Sequence, residues 1–145
     1  DAEGVREAVK GGADLESGDP RLGFWTALHR ASHHGETGCV QLLLKMGADP
    51  NAPTKAGYTP MHVAAFADQA AVIDALASGG GDVNAVDDDN LDTPLHSAAE
   101  GGSVSAARAL VNLGASLSAT NVNGQAPCEA AEANAPSAPA WEGGE

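Results

Sequence analysis

Three four-residue strings, Thr26-Ala27-Leu28-His29, Thr59-Pro60-Met61-His62 and Thr93-Pro94-Leu95-His96, follow one another along the chain at steps of 33 and then 34 residues. A second ladder keeps the same steps: Gly47-Ala48-Asp49-Pro50-Asn51, Gly80-Gly81-Asp82-Val83-Asn84 and Gly114-Ala115-Ser116-Leu117-Ser118. A period of this length marks a repeat architecture, in which each unit buries the face its neighbour leaves open. The chain is therefore expected to stack along one axis.

Each unit has a physical reading. Thr59 and Thr93 offer N-cap oxygens, and Pro60 and Pro94 follow at the first helical position, where no amide donor is needed. After a short first helix, apolar residues at i, i+3 and i+4 spacing (Val40/Leu43/Leu44, Ile73/Leu76/Ala77, Ala107/Leu110/Val111) predict a second helix that stops near Gly47, Gly80 and Gly114. Ala31, Ala64, Ala65, Ala98 and Ala99 in the first helices let units approach closely. This is a helix, turn, helix, loop unit.

The pattern resembles the ankyrin family, whose repeat of about 33 residues carries a T-P-L-H-x-A signature. The resemblance implies an all-α solenoid of stacked helix-turn-helix units with hairpin-like finger loops. One ankyrin domain is expected over 1–133: a partial repeat at 1–20, full repeats at about 21–53, 54–86 and 87–120, and a partial C-terminal capping repeat at 121–133. Residues 134–145, rich in Pro, Gly and Ala, predict a flexible tail whose Trp141 docks on the last repeat.

Departures from the pattern are informative. Gly57 and Gly124 occupy the finger position where the family has glycine, but Phe24 and Leu91 do not, so those two fingers are expected to turn differently. Asp68 stands where Gly35 and Gly102 join the helices of the other units, which predicts a left-handed, moderately strained residue. The extra residue between the second and third strings falls near Asp87-Asp88-Asp89-Asn90. Alanines at 106, 107 and 109 replace larger residues such as Cys39, Val40 and Leu42, so the C-terminal units are expected to pack weakest.

Charge and composition exclude several functions. Twenty acidic against seven basic residues give a net charge of −13, which repels phosphate backbones and anionic lipids. Neither nucleic acid nor membrane is an expected partner. The first residue is Asp1 rather than Met, as in a segment trimmed from a longer polypeptide. Cys39 and Cys128, far apart in apolar surroundings, suit a reducing compartment, so a cytoplasmic or nuclear monomer is expected. No nucleophile elbow, phosphate-cradling loop or dinucleotide fingerprint is present, and neither catalysis nor a cofactor is expected. His29 and His33 lie four residues apart with His34 beside them, yet no further ligand completes a metal set, and His29 recurs as His62 and His96. The family resemblance makes that repeated histidine structural.

Equivalent positions in successive repeats lie side by side, so Trp25, Tyr58 and Asp92, each preceding the recurrent Thr, should form one row. His33, Phe66 and Glu100, each four residues after the recurrent His, should form a second row facing the same concave groove, with His34 at its start. Three of the five Phe, Tyr and Trp residues fall in these rows, beside Asp88, Asp89, Asp92 and Glu100. An aromatic half beside an acidic half suits a partner protein, in particular a basic, extended segment. Tyr58 and Phe66 could instead only pack between repeats. A regulatory or targeting domain of a larger enzyme, or a steric inhibitor of a kinase or transcription factor, is the alternative function. Asn51 and Asn84 are expected to hold loop backbone, and their setting also resembles ankyrin asparagines accepted by a 2-oxoglutarate-dependent asparaginyl hydroxylase.

Overall fold

The computed structural model describes residues 23–127, and within them six helices alternate between two layers. The first helices of three units are α1 (Ala27–His33), α3 (Pro60–Phe66) and α5 (Pro94–Glu100). The second helices are α2 (Thr37–Lys45), α4 (Ala70–Ser78) and α6 (Val104–Asn112). First helices stack on first helices and second on second, α1 on α3 on α5 and α2 on α4 on α6. The family-like, all-α stack expected from the two ladders is the observed architecture. The partial repeat at 1–20, the end of the cap, the tail, Cys128 and Trp141 lie outside the described residues.

Helix starts follow from the recurrent threonine. Thr26, Thr59 and Thr93 sit in extended backbone, and each side-chain oxygen accepts from the amide of the histidine three residues on. The histidine ring reaches back in turn, its Nδ1 3.1 Å from the threonine amide, closing a capping box in all three units. The second helices start without such a cap of their own. At α6 the previous unit compensates, because Asp68 Oδ1 accepts from the amide of Ala106 at 2.9 Å. Ser103, the residue at the N-cap of α6, instead donates its hydroxyl to the Phe66 carbonyl.

The core runs between the layers and is made of many modest side chains. Leu28, Val40, Leu43, Met61, Val72, Ile73, Leu76 and Leu110 are fully buried, with Ala31, Ala64, Ala65 and Ala98 where first helices touch. Val111, expected on the apolar face of its helix, is 41% exposed. The neighbouring Leu110 takes the buried side of that turn.

Among the described residues three that are not glycine hold a left-handed backbone. Asp68 is left-handed with φ 59, as its replacement of glycine implied. The fingers of Phe24 and Leu91 turn differently from the glycine fingers, as expected: Gly23 beside Phe24 is left-handed as well, with φ 67, and the Leu91 finger pairs Asp87 with Asp92 across one residue more than Thr54 with Tyr58. The φ values of Phe24 and Leu91 themselves, 66 and 57, lie in the same left-handed region as those of Gly57 and Gly124. Side chains brace three of the fingers: the Tyr58 amide donates to Thr54 Oγ1, the Leu91 amide to Asp87 Oδ1 and the Gln125 amide to Asn121 Oδ1. The extra residue is absorbed inside the Leu91 finger, between Asp87 and Asp92, whose backbones still pair. Neighbouring fingers are laced together by the Lys55 amide to the Gly23 carbonyl, Asp88 to Ala56 and Val122 to Asn90.

Candidate functional site

The groove between fingers and first helices is held in shape by the repeated histidine. His29 Nε2 lies 2.8 Å from the Tyr58 carbonyl, His62 Nε2 2.8 Å from that of Asp92, and His96 Nε2 2.8 Å from that of Gln125. A carbonyl only accepts, so Nε2 carries the proton and Nδ1 is left bare to accept from the threonine amide. Each ring thereby ties its own helix start to the next unit's finger. Burial lowers the pKa of His29 and His62 below the ordinary 6.5, favouring this neutral form against the opposing pull of the carbonyls they face.

Above these rings the aromatic residues gather. Trp25 leans on His29 and His33 with centroids 5.8 and 5.9 Å apart, His33 meets His34 edge-on at 5.0 Å, and Tyr58 meets His62 edge-on at 5.8 Å. Trp25, His33, Tyr58 and Phe66 share a largely apolar pocket of about 260 Å³ with His62, Val63 and Ser97. Phe66 stands 54% exposed at its wall, so it is not packed away between repeats. Asp89 meets Trp25 and Tyr58 in an adjoining depression with Thr54 and Lys55, while His34 lies with Trp25, Arg30 and His33 in another.

Glu100 is exposed, one unit beyond Phe66. Asp92 departs from its row. It is only 9% exposed, and its Oδ1 lies buried without a hydrogen-bond partner, so it is not the freely solvated charge that Asp88 and Asp89 present. Its short side chain stays near the finger backbone where tryptophan and tyrosine stand out into the groove. Asp87, buried behind it, was not singled out from the sequence; its Oδ1 accepts from the amides of Asn90 and Leu91, and its Oδ2 has no partner. Burial pushes the Tyr58 phenol pKa up, and the carboxylates of Asp87, Asp92, Glu100 and Asp89 push it the same way. Val63 and Ser97 were also missed, although the rule that made the other rows would have paired them with Arg30.

The asparagines hold loops. Asn51 accepts from the Asp82 amide at 2.8 Å and donates to the Gly80 carbonyl, and Asn84 accepts from the Ser116 amide at 2.8 Å. Both are exposed, and the backbone they hold is that of the next unit's loop. Among the described residues no three His, Cys, Asp or Glu side chains come together as a metal-holding group, and no helix is long and apolar enough to cross a membrane.

A family model described as ankyrin repeats in three copies matches residues 1–87 and again 55–121. Human "Ankyrin repeat and SOCS box protein 16" is 36% identical over 98 residues, 68% of this chain and 21% of that protein. The rat "Cyclin-dependent kinase 4 inhibitor B" is 33% identical over 105 residues, 72% of this chain and 80% of its relative. The mouse "RelA-associated inhibitor" is 32% identical over 114 residues, 79% of this chain and 14% of that protein. The chain thus spans only a small share of two of these three relatives.

Proposed function

The chain belongs to the ankyrin-repeat family, and from that premise we propose that it is a protein-interaction module that holds a basic, extended segment of a partner in its concave groove. One observation carries the reading: Trp25, His33, Tyr58 and Phe66, drawn from two units, converge on one apolar pocket, with Asp89 and Glu100 nearby. Aromatic faces attract a desolvated Arg or Lys, and the acidic neighbours speed its approach. In this reading the chain is a monomer of the cytoplasm or nucleus and catalyses nothing itself. Two relatives are named as inhibitors, which supports the second reading, a steric inhibitor or a regulatory domain of a larger protein.

A pull-down with the Trp25→Ala, Tyr58→Ala double variant tests the groove. Its affinity for captured partners should fall roughly ten-fold or more, with the helical circular dichroism unchanged. Recovery of every partner at unchanged affinity would move the binding face to the convex side. Asp89→Lys should slow association and flatten its salt dependence. Asn51 and Asn84 stand as proposed acceptors for an asparaginyl hydroxylase, with the chain as substrate. Intact mass after incubation with such an enzyme should rise by one oxygen atom, and no gain at either site ends that assignment.

A further inference from the structure

We propose that the groove reads its partner by spacing, seating an apolar side chain among Trp25, Tyr58 and Phe66 and an arginine about three residues away at Asp92 and Glu100. The inference rests on the groove reading above and adds a register to it. In the third unit, Asp92 and Glu100 occupy the positions that carry Tyr58 and Phe66 in the second. Ser97, from that third unit, lines the far side of the apolar pocket. The pocket therefore gives way to carboxylates within one repeat step.

Stacked helices lie about 8 to 10 Å apart. A polyproline-type segment rises about 3.1 Å per residue with three residues per turn, so its side chains at i and i+3 share one face about 9 Å apart. A β-strand would bring i and i+2 to one face at about 7 Å, short of the step. The length of one unit thus selects the three-residue spacing.

Arginine fits the acidic end for a separate reason. Asp92 Oδ1 is buried with no donor, and Asp87 Oδ2 beside this finger is likewise unmet. Burial pushes the Tyr58 phenol pKa up, and the carboxylates of Asp87, Asp92, Glu100 and Asp89 all lie near enough to push it in the same direction. A guanidinium brings several N–H donors in a plane and loses little on desolvation, whereas an ammonium is a compact, strongly hydrated charge.

The test uses capped Pro/Ala-rich peptides holding one Leu and one Arg, in either order, separated by two, three or four positions. The Trp141→Phe chain leaves Trp25 as its one tryptophan, and Trp25 fluorescence reports binding. The three-residue peptide should bind about ten-fold tighter than the others. Citrulline in place of Arg, or Glu100→Gln or Asp92→Asn in the protein, should bring it down to their level. Glu100 is exposed, so its variant keeps the test decisive if Asp92→Asn alters folding. Equal affinity at all spacings, or for citrulline, overturns the register. If Tyr58→Ala and Phe66→Ala still weaken those peptides, the groove reading stands without it. Peptides that leave Trp25 fluorescence unmoved remove both.

Discussion

The middle and last described units carry the same helical pattern on different foundations. α4 buries Val72, Ile73 and Leu76, and it packs against α2 on one side and α6 on the other. Among the described helices α6 packs on α4, α5 and α3, and it buries only Ala106 and Leu110. In the loops that follow, Val83 is half-buried while its counterpart Leu117 is 65% exposed. Burial in a stack is a property of neighbours as much as of side chains. The last unit leans instead on polar ties, the Asp68 cap on Ala106 and the Ser103 bond to Phe66.

Removing the same atoms from both units should affect them differently. Leu76→Ala should cost about 2 to 5 kcal/mol and lower the urea midpoint of the whole stack. Leu110→Ala should mainly release α6, seen by hydrogen exchange as early loss of protection over Val104–Asn112. Uniform protection from α2 to α6 in both variants would show that the units are equally supported.

Acid should act on the first two described units. His29 and His62 have folded-state pKa values below the unfolded 6.5, so the unfolded chain takes up protons first. Their contribution is complete above 6.5 and is lost as pH falls through the lowered folded values, by up to about 1.4 kcal/mol per pH unit for each ring. Urea midpoints measured on either side of 6.5 should show the decline, and His62→Asn should flatten it. A pH-independent midpoint over that range would break the reading of the bridges as neutral.

The fingers should respond least. Leu91→Gly should raise stability by about 1 kcal/mol, because leucine holds a left-handed backbone there and is 45% exposed. Gly57→Ala should do the reverse. Its φ of 88 is left-handed, and an added Cβ would lie 2.7 Å from the Asp88 amide nitrogen. Thermal melts of the two variants moving in the same direction would contradict the left-handed backbone that the two positions share.

Much of this was legible in the sequence because it is local or periodic. Thr59 capping its helix needs only the next three residues, and the rows of Trp25 with Tyr58 and of His33 with Phe66 need only the repeat length. What escaped depends on depth or on the neighbouring unit. Asp92 shares a row with Trp25, yet its shorter side chain leaves it buried, a difference that register cannot express. Leu91 keeps a left-handed φ in a longer finger, where its amide donates to the buried Asp87 side chain, a tie that neither ladder marks. The partnership of Asp68 with Ala106 crosses 38 residues and has no counterpart in either ladder.

The bonds that stitch one unit to the next span 29 residues for His29 with Tyr58, 31 for Asn51 with Asp82 and 37 for Ser103 with Phe66. Every one of them joins a unit to its neighbour. A duplicated stretch of about 33 residues would arrive with both halves of each stitch already in register, while an insertion of half that length would leave a histidine facing the wrong carbonyl. The chain can therefore change its length in one currency only. Each added unit would extend the groove by a further row of positions, to be filled with aromatic or acidic residues as a longer partner required.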